Sequence, residues 1–185
     1  MLIAILAALA FFILSNAAVE YANRTTMNWM QQPMSAYLAA VKLSWLQDAG
    51  FLVLAAALPF IGHLFGTALT VPALALDMAA IALVIVVATK LDIHDHPGSA
   101  DNAQLERVHI ISAGLAFSGV ELALLIHTWA HGLPFALTLA GPFVAFLLYR
   151  FAKADEADAL EEKAVAALQM AAFISILIPM IRSIP

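Results

Sequence analysis

TALTVPALALDMAAIALVIVVAT, residues 67–89, decides how this chain is to be read. The whole run carries one charge, Asp77. About 20 predominantly apolar residues in helical form cross the ~30 Å hydrocarbon core of a bilayer. The run is therefore a membrane-crossing helix with a single acid inside it.

Working outward, the same composition recurs. The 185-residue chain is 64% hydrophobic and 11% charged, with a mean hydropathy of +0.94. A soluble domain has about 45–50% apolar and about 25% charged residues. Six apolar segments can be marked, at residues 1–22, 46–65, 67–89, 108–130, 133–150 and 164–182. They use most of the chain and leave room for one polytopic membrane domain, residues 1–185, and no separate soluble one. No ten-residue alternating strands appear, which argues against a β-barrel. The expected fold is all-α: an integral membrane helical bundle of about six spans. The first segment, MLIAILAALAFFILS, lacks a positive n-region and is read as a retained helix and not a signal peptide. No cysteine is present, so disulfides, thiolate chemistry and iron–sulfur clusters are excluded. A net charge of −5 without a basic cluster argues against nucleic acid as a partner. Membrane lipids are the expected neighbours, with a homo-oligomer or a larger membrane complex as further partners.

The connections are lopsided. Those at Gly62–Gly66 and Ala130–Pro134 are short and uncharged, which makes spans two–three and four–five hairpins. The longer ones share the opposite side with Arg24, Lys42, Lys90, Arg107, Arg150, Lys153 and Lys163; of the basic residues only Arg182 lies elsewhere. The positive-inside rule makes that side cytoplasmic, in a plasma or inner membrane, with both termini outside. All the acids except Asp77 and Glu121 fall there too, so it is above all the wet side. Tyr21, Trp29, Tyr37, Trp45 and Tyr149 lie near its boundary, as an interfacial belt does. Met34, Tyr37, Leu38, Val41 and Trp45 follow helical spacing after Pro33, which predicts a short interfacial helix before the second span, or an extension of it. Met27, Met30 and Met34 are soft thioethers of the kind copper(I) takes, but no histidine or cysteine accompanies them, and interfacial packing is the better reading.

The run QQPMSAYLAAVKLSWLQDAGFL places Pro-x-Ser before a helix that opens Trp-Leu-x-x-x-Gly-Phe. An Asp-containing loop follows the third span and His109 opens the fourth. Over roughly residues 15–130 these features resemble a multi-pass bacterial membrane family known only as a domain of unknown function. The resemblance implies a six-helix membrane fold and supplies no activity, cofactor or catalytic residue.

Candidate chemistry gathers around the third and fourth spans. An ionised carboxylate inside a membrane costs at least ~2.5–3.5 kcal/mol on insertion scales, so such acids are functional candidates by default. Asp77 and Glu121 stand about 18 and 20 Å from the charged boundary at 1.5 Å rise per residue. Facing each other at that depth they would share a proton and suit a proton or cation relay; hydrogen bonding to Thr70, Ser118 or a backbone carbonyl is the structural alternative. Glu20 and Asp48, nearer the boundary, are further ligand candidates. In KLDIHDHPGSADNAQLERVH, residues 90–109, Asp92, His94 and His96 are spaced by two and would point one way in an extended segment, with His109 completing a divalent-metal site. The same stretch also reads as turn chemistry at Pro97-Gly98-Ser99 followed by a capping box, Asp101 with Gln104. His109 and His127 are five turns apart on one face, with His131 a turn beyond. Ser112, Ala113, Ala116 and Ala123 between them signal close helix packing or room for a flat ligand. His63 with His127 or His131 would be the pair for a haem, but the spacing is not diagnostic and the expectation is against haem.

Two function classes follow. The leading one is non-enzymatic: a protein that binds or passes a small solute, proton or lipid, or serves as an accessory subunit of a membrane complex. The alternative is a metal-dependent intramembrane hydrolase with histidines and aspartates at the charged face; no HExxH motif or nucleophile elbow supports it.

Overall fold

A computed structural model of the chain describes residues 1–26, 42–65, 70–89, 100–129, 132–151 and 154–182. Six helices carry these residues: α1 (Leu2–Asn23), α2 (Ser44–Phe65), α3 (Val71–Ala88), α4 (Ala100–Thr128), α5 (Gly132–Phe151) and α6 (Ala154–Arg182). There is no strand among the described residues. Five segments are long and apolar enough to cross a membrane: Leu2–Asn23, Ser44–Phe65, Val71–Ala88, Gln104–Thr128 and Glu162–Ile181. In α5 the stretch Gly132–Val144 is apolar but shorter. The fold is a helical membrane bundle. The expected interfacial helix before α2, and Met27, Met30 and Met34 with it, lie outside the described residues.

Helix ends depart from the marked spans in an instructive way. Helix α4 begins at Ala100, eight residues before Val108, so Asp101 sits inside the first turn and not at the cap. Helix α6 begins at Ala154, ten residues before Ala164. Both extensions, ADNAQLER and ADEADALEEK, are rich in strong helix formers. Hydropathy marks only where a helix is greasy, and these helices run on into water. Helix α2 likewise keeps Gly62 within its last turns, which narrows the connection to α3.

Successive helices are neighbours. α1 packs on α2, α2 on α3 and α3 on α4, while α5 and α6 pack mainly on each other. Lighter contacts of α4 with α5 and α6, and of α1 with α6, close the bundle. Leu9, Leu58, Ile61, Leu76, Leu124, Phe173 and Leu177 fill the interior. Leu74, Met78, Ile81 and Val84 on α3, and Ile110, Ile111 and Leu115 on α4, face outward, where lipid solvates them as well as any core would.

Because lipid removes the hydrophobic drive between helices, close backbone approach at small residues holds such bundles together. A Cβ on Gly119 of α4 would lie 2.8 Å from the Ala75 carbonyl oxygen and 3.1 Å from the Ala79 Cβ of α3. One on Gly62 would lie 3.1 Å from the Ala73 Cα, and one on Gly50 would collide with the Ser15 hydroxyl of α1. Each seam of the first four helices thus has a point where only a small residue fits.

Candidate functional site

At the charged end, buried amides stitch the helices. The Gln47 amide on α2 donates to Asn16 Oδ1 at 2.8 Å, and Asn16 in turn donates to the Phe12 carbonyl on α1. Asn23 clamps the chain entering α2: it donates to the Lys42 carbonyl at 2.9 Å and accepts from the Lys42 N–H at 3.1 Å. The clamp adjoins Leu43, whose φ of 68° is left-handed, an uncommon conformation for a residue with a side chain. Glu20 pairs with Lys163 at 3.1 Å, tying α1 to α6, and Asp48 lies half-buried next to Gln47. Tyr21 and Trp45 are exposed here, with the Arg24 guanidinium 3.8 Å above the Tyr21 ring, in keeping with an interfacial belt.

His109 is 2% exposed and faces α3. Its Nδ1 lies 3.1 Å from the Thr89 carbonyl, a distance at which Nδ1–H donates. Its buried Nε2 meets no hydrogen-bond partner among the described residues. His127 stacks face to face on Phe65 of α2, ring centroids 3.8 Å apart and planes 3° from parallel. His63 is exposed. Ser112, Ala116 and Ala123 are buried, so the stripe between His109 and His127 is helix-packing surface. His131, Asp92, His94 and His96 lie outside the described residues. Among the described residues no three His, Cys, Asp or Glu side chains gather as a metal-binding group.

The two deep acids do not meet. Gly119 sets the face that α4 turns to α3, and Glu121, two residues on, is rotated by about 200° from it. On α3, Ala75 and Ala79 receive Gly119, whereas Asp77 shares its side of the helix with Leu74 and Ile81, which are exposed. Asp77 is half-buried on the outward side of α3. Equal depth placed the pair together in the sequence; helix rotation separates them.

Glu121 instead faces α5 and α6. Its carboxylate oxygens lie 3.6 and 3.8 Å from where a Cβ on Gly141 of α5 would stand, which is ordinary contact distance and sets the acid against α5. From α6, the Gln169 amide nitrogen donates to Glu121 Oε2 at 3.1 Å and to the Phe117 carbonyl at 3.0 Å. Two acceptors fix which end of this amide is nitrogen. The other carboxylate oxygen, Oε1, is buried and has no hydrogen-bond partner among the described residues. These groups border a cleft of about 320 Å³ between α4, α5 and α6, with Phe117, Leu125, Pro142 and Val165 as apolar wall. Pro142 has no N–H to return to the carbonyl of residue 138, which loosens α5 beside the cleft.

An orphaned Oε1 is unsatisfied in either protonation state. Ionised, it wants a donor or a cation; protonated, its O–H wants an acceptor. A buried polar group left so costs roughly 1–3 kcal/mol. Among the described residues, the carboxyl of Glu121 is therefore incompletely satisfied.

Gln169 was not legible as a site residue. A neutral amide in AVAALQMAAFISIL barely disturbs an apolar run; the signal was that it is the one amide side chain in that span. No family model matches the chain, and neither a curated protein nor a solved structure matches it.

Proposed function

We propose that this is a non-enzymatic multi-pass membrane protein that binds, and passes, a proton or small cationic solute at Glu121, with the charged end on the cytoplasmic side of a plasma membrane. The carrying observation is Glu121 at the border of a cleft between helices, its buried Oε1 without a hydrogen-bond partner among the described residues. An acid kept inside a membrane at a cost of at least ~2.5–3.5 kcal/mol is a functional candidate by default, ion and proton paths among its common uses. Gln169 holds the carboxylate by one oxygen, and the other has no partner among the described residues. α5 and α6 pack lightly against α4, beside a proline.

The test is ion or proton flux into liposomes holding the full chain. Glu121→Gln is expected to abolish flux, whereas Asp77→Asn, outside the cleft, leaves it within about twofold. Absent wild-type flux, or flux indifferent to Glu121, overturns the proposal.

A further inference from the structure

Resting on that reading of the cleft, we infer its ligand class: a lipophilic ammonium ion, with at least one N–H, that enters sideways from the bilayer. The charge follows from the lining. Among the described residues Glu121 is the one ionisable group bordering the cleft, and Lys163 on α6 is engaged by Glu20 on the α1 side. Ionised, the acid calls for a cation, and none borders the cleft among the described residues.

The N–H follows from Oε1. A charge-assisted N–H···O bond is roughly twice as strong as a neutral one, and Oε1 has no donor of its own among the described residues. A bare metal cation fits worse. Hard cations take about six oxygens, and among the described residues the lining side chains offer Glu121, the Ser118 hydroxyl and the Gln169 amide oxygen amid carbon. An ammonium needs one to three acceptors and is content with apolar contact elsewhere.

The apolar body follows from the way in. Ser118, Leu122 and Pro142 border the cleft and are exposed, so its mouth is on the flank of the bundle. Glu121 lies seven residues before the end of α4 at Thr128, about 10 Å inside that end. A mouth at that depth on the flank of a membrane helix opens on hydrocarbon, so the ligand has first to partition there. A volume of about 320 Å³ suits a small ligand.

The full chain in phosphatidylcholine nanodiscs, titrated with radiolabelled octylammonium against empty discs, tests this. Saturable binding is expected, displaced by cold octylammonium, about tenfold less well by octyltrimethylammonium, which has no N–H, and not by octanol. Glu121→Gln should weaken binding roughly tenfold or more. Leu125→Trp keeps the acid but fills the apolar wall, and should weaken it as well should the glutamine variant not fold. Displacement by octanol as good as by octylammonium overturns the inference, as does Glu121→Gln binding like wild type. No saturable ammonium binding alongside Glu121-dependent proton flux removes the ligand class and leaves the site; loss of both removes both. Phosphatidylethanolamine discs separate sources: competition only in proteins with Glu121 makes the ammonium a lipid headgroup, and no competition makes it a free amine, either of which upholds the chemistry.

Discussion

Helix α4 has two sides, and they are built on opposite rules. Toward α3 it presents Gly119, Ala116 and Ala123, and the backbones approach until a single added methyl would strike a carbonyl. Toward α5 and α6 it presents Glu121 and Phe117, and a cleft remains where helix contact would be. Two residues of sequence separate Gly119 from Glu121. In a bilayer, where burying carbon gains little, the first side supplies cohesion and the second gives some up for an incompletely satisfied polar group. A tightly interlocked surface has few alternative packings; a looser one beside a proline can rearrange.

The comparison breaks first, and hardest, at Gly119. In Gly119→Val the new Cβ meets the Ala75 carbonyl, backbone that cannot rotate away. Overpacking typically costs about 1–3 kcal/mol, and a backbone clash belongs at or above the top of that range. Denaturant unfolding in micelles should show it. Gly114→Ala is the control on the same helix: nothing lies within 4 Å of the added Cβ. That variant should be neutral or gain a fraction of the ~1 kcal/mol helix-propensity difference. Equal losses at both glycines would show that the α3–α4 seam is not held by close approach.

The next effect sharpens the other side. Gln169→Leu removes the donor to Glu121 Oε2 and to the Phe117 carbonyl. Both carboxylate oxygens then lack their helix partner, and a loss of about 1–3 kcal/mol is expected in the same unfolding assay. Adding Glu121→Leu should recover most of it, since replacing both members of a buried polar pair by apolar groups is often neutral. A double-mutant cycle with no coupling would mean that the amide and the acid do not act as a pair.

What was legible in the sequence follows the same division. Apolar runs announce themselves by composition, so the all-helical fold and five of the six marked spans could be read directly. Helix continuity past the membrane could not, because residues 100–107 and 154–163 are polar, and hydropathy falls silent while helix propensity does not. Glu121 was legible as an acid in a greasy run. Its setting was not. Pairing it with Asp77 used depth alone, whereas rotation is fixed by Gly119 against Ala75 and Ala79, contacts that a one-dimensional pattern of small residues hints at without naming the partner. The buried amides Asn16, Gln47 and Gln169 escaped notice because they are uncharged, yet each bonds across or within the bundle.

The smallest effect bears on how the looser side is kept in place. At the charged end, Lys163 and Glu20 join α6 to α1 at 3.1 Å, with side chains 13% and 28% exposed. The pair borders water, so its Coulomb energy is screened and its side chains lose freedom in forming it; pairs of this kind contribute roughly 0–1 kcal/mol. Lys163→Met keeps the apolar stem of the lysine and removes its charge. Global unfolding should move by less than about 1 kcal/mol, and the difference from wild type should shrink as salt shortens the Debye length from about 10 Å at 0.1 M toward about 3 Å at 1 M. The cleft is the more sensitive reporter. Gln169 stands six residues further along α6, so an α6 freed at Lys163 can shift the amide against Glu121. Flux or ligand affinity changed several-fold with stability nearly untouched would identify the ion pair as a positioning contact for the cleft. Equal, small changes in both would confine it to ordinary surface electrostatics.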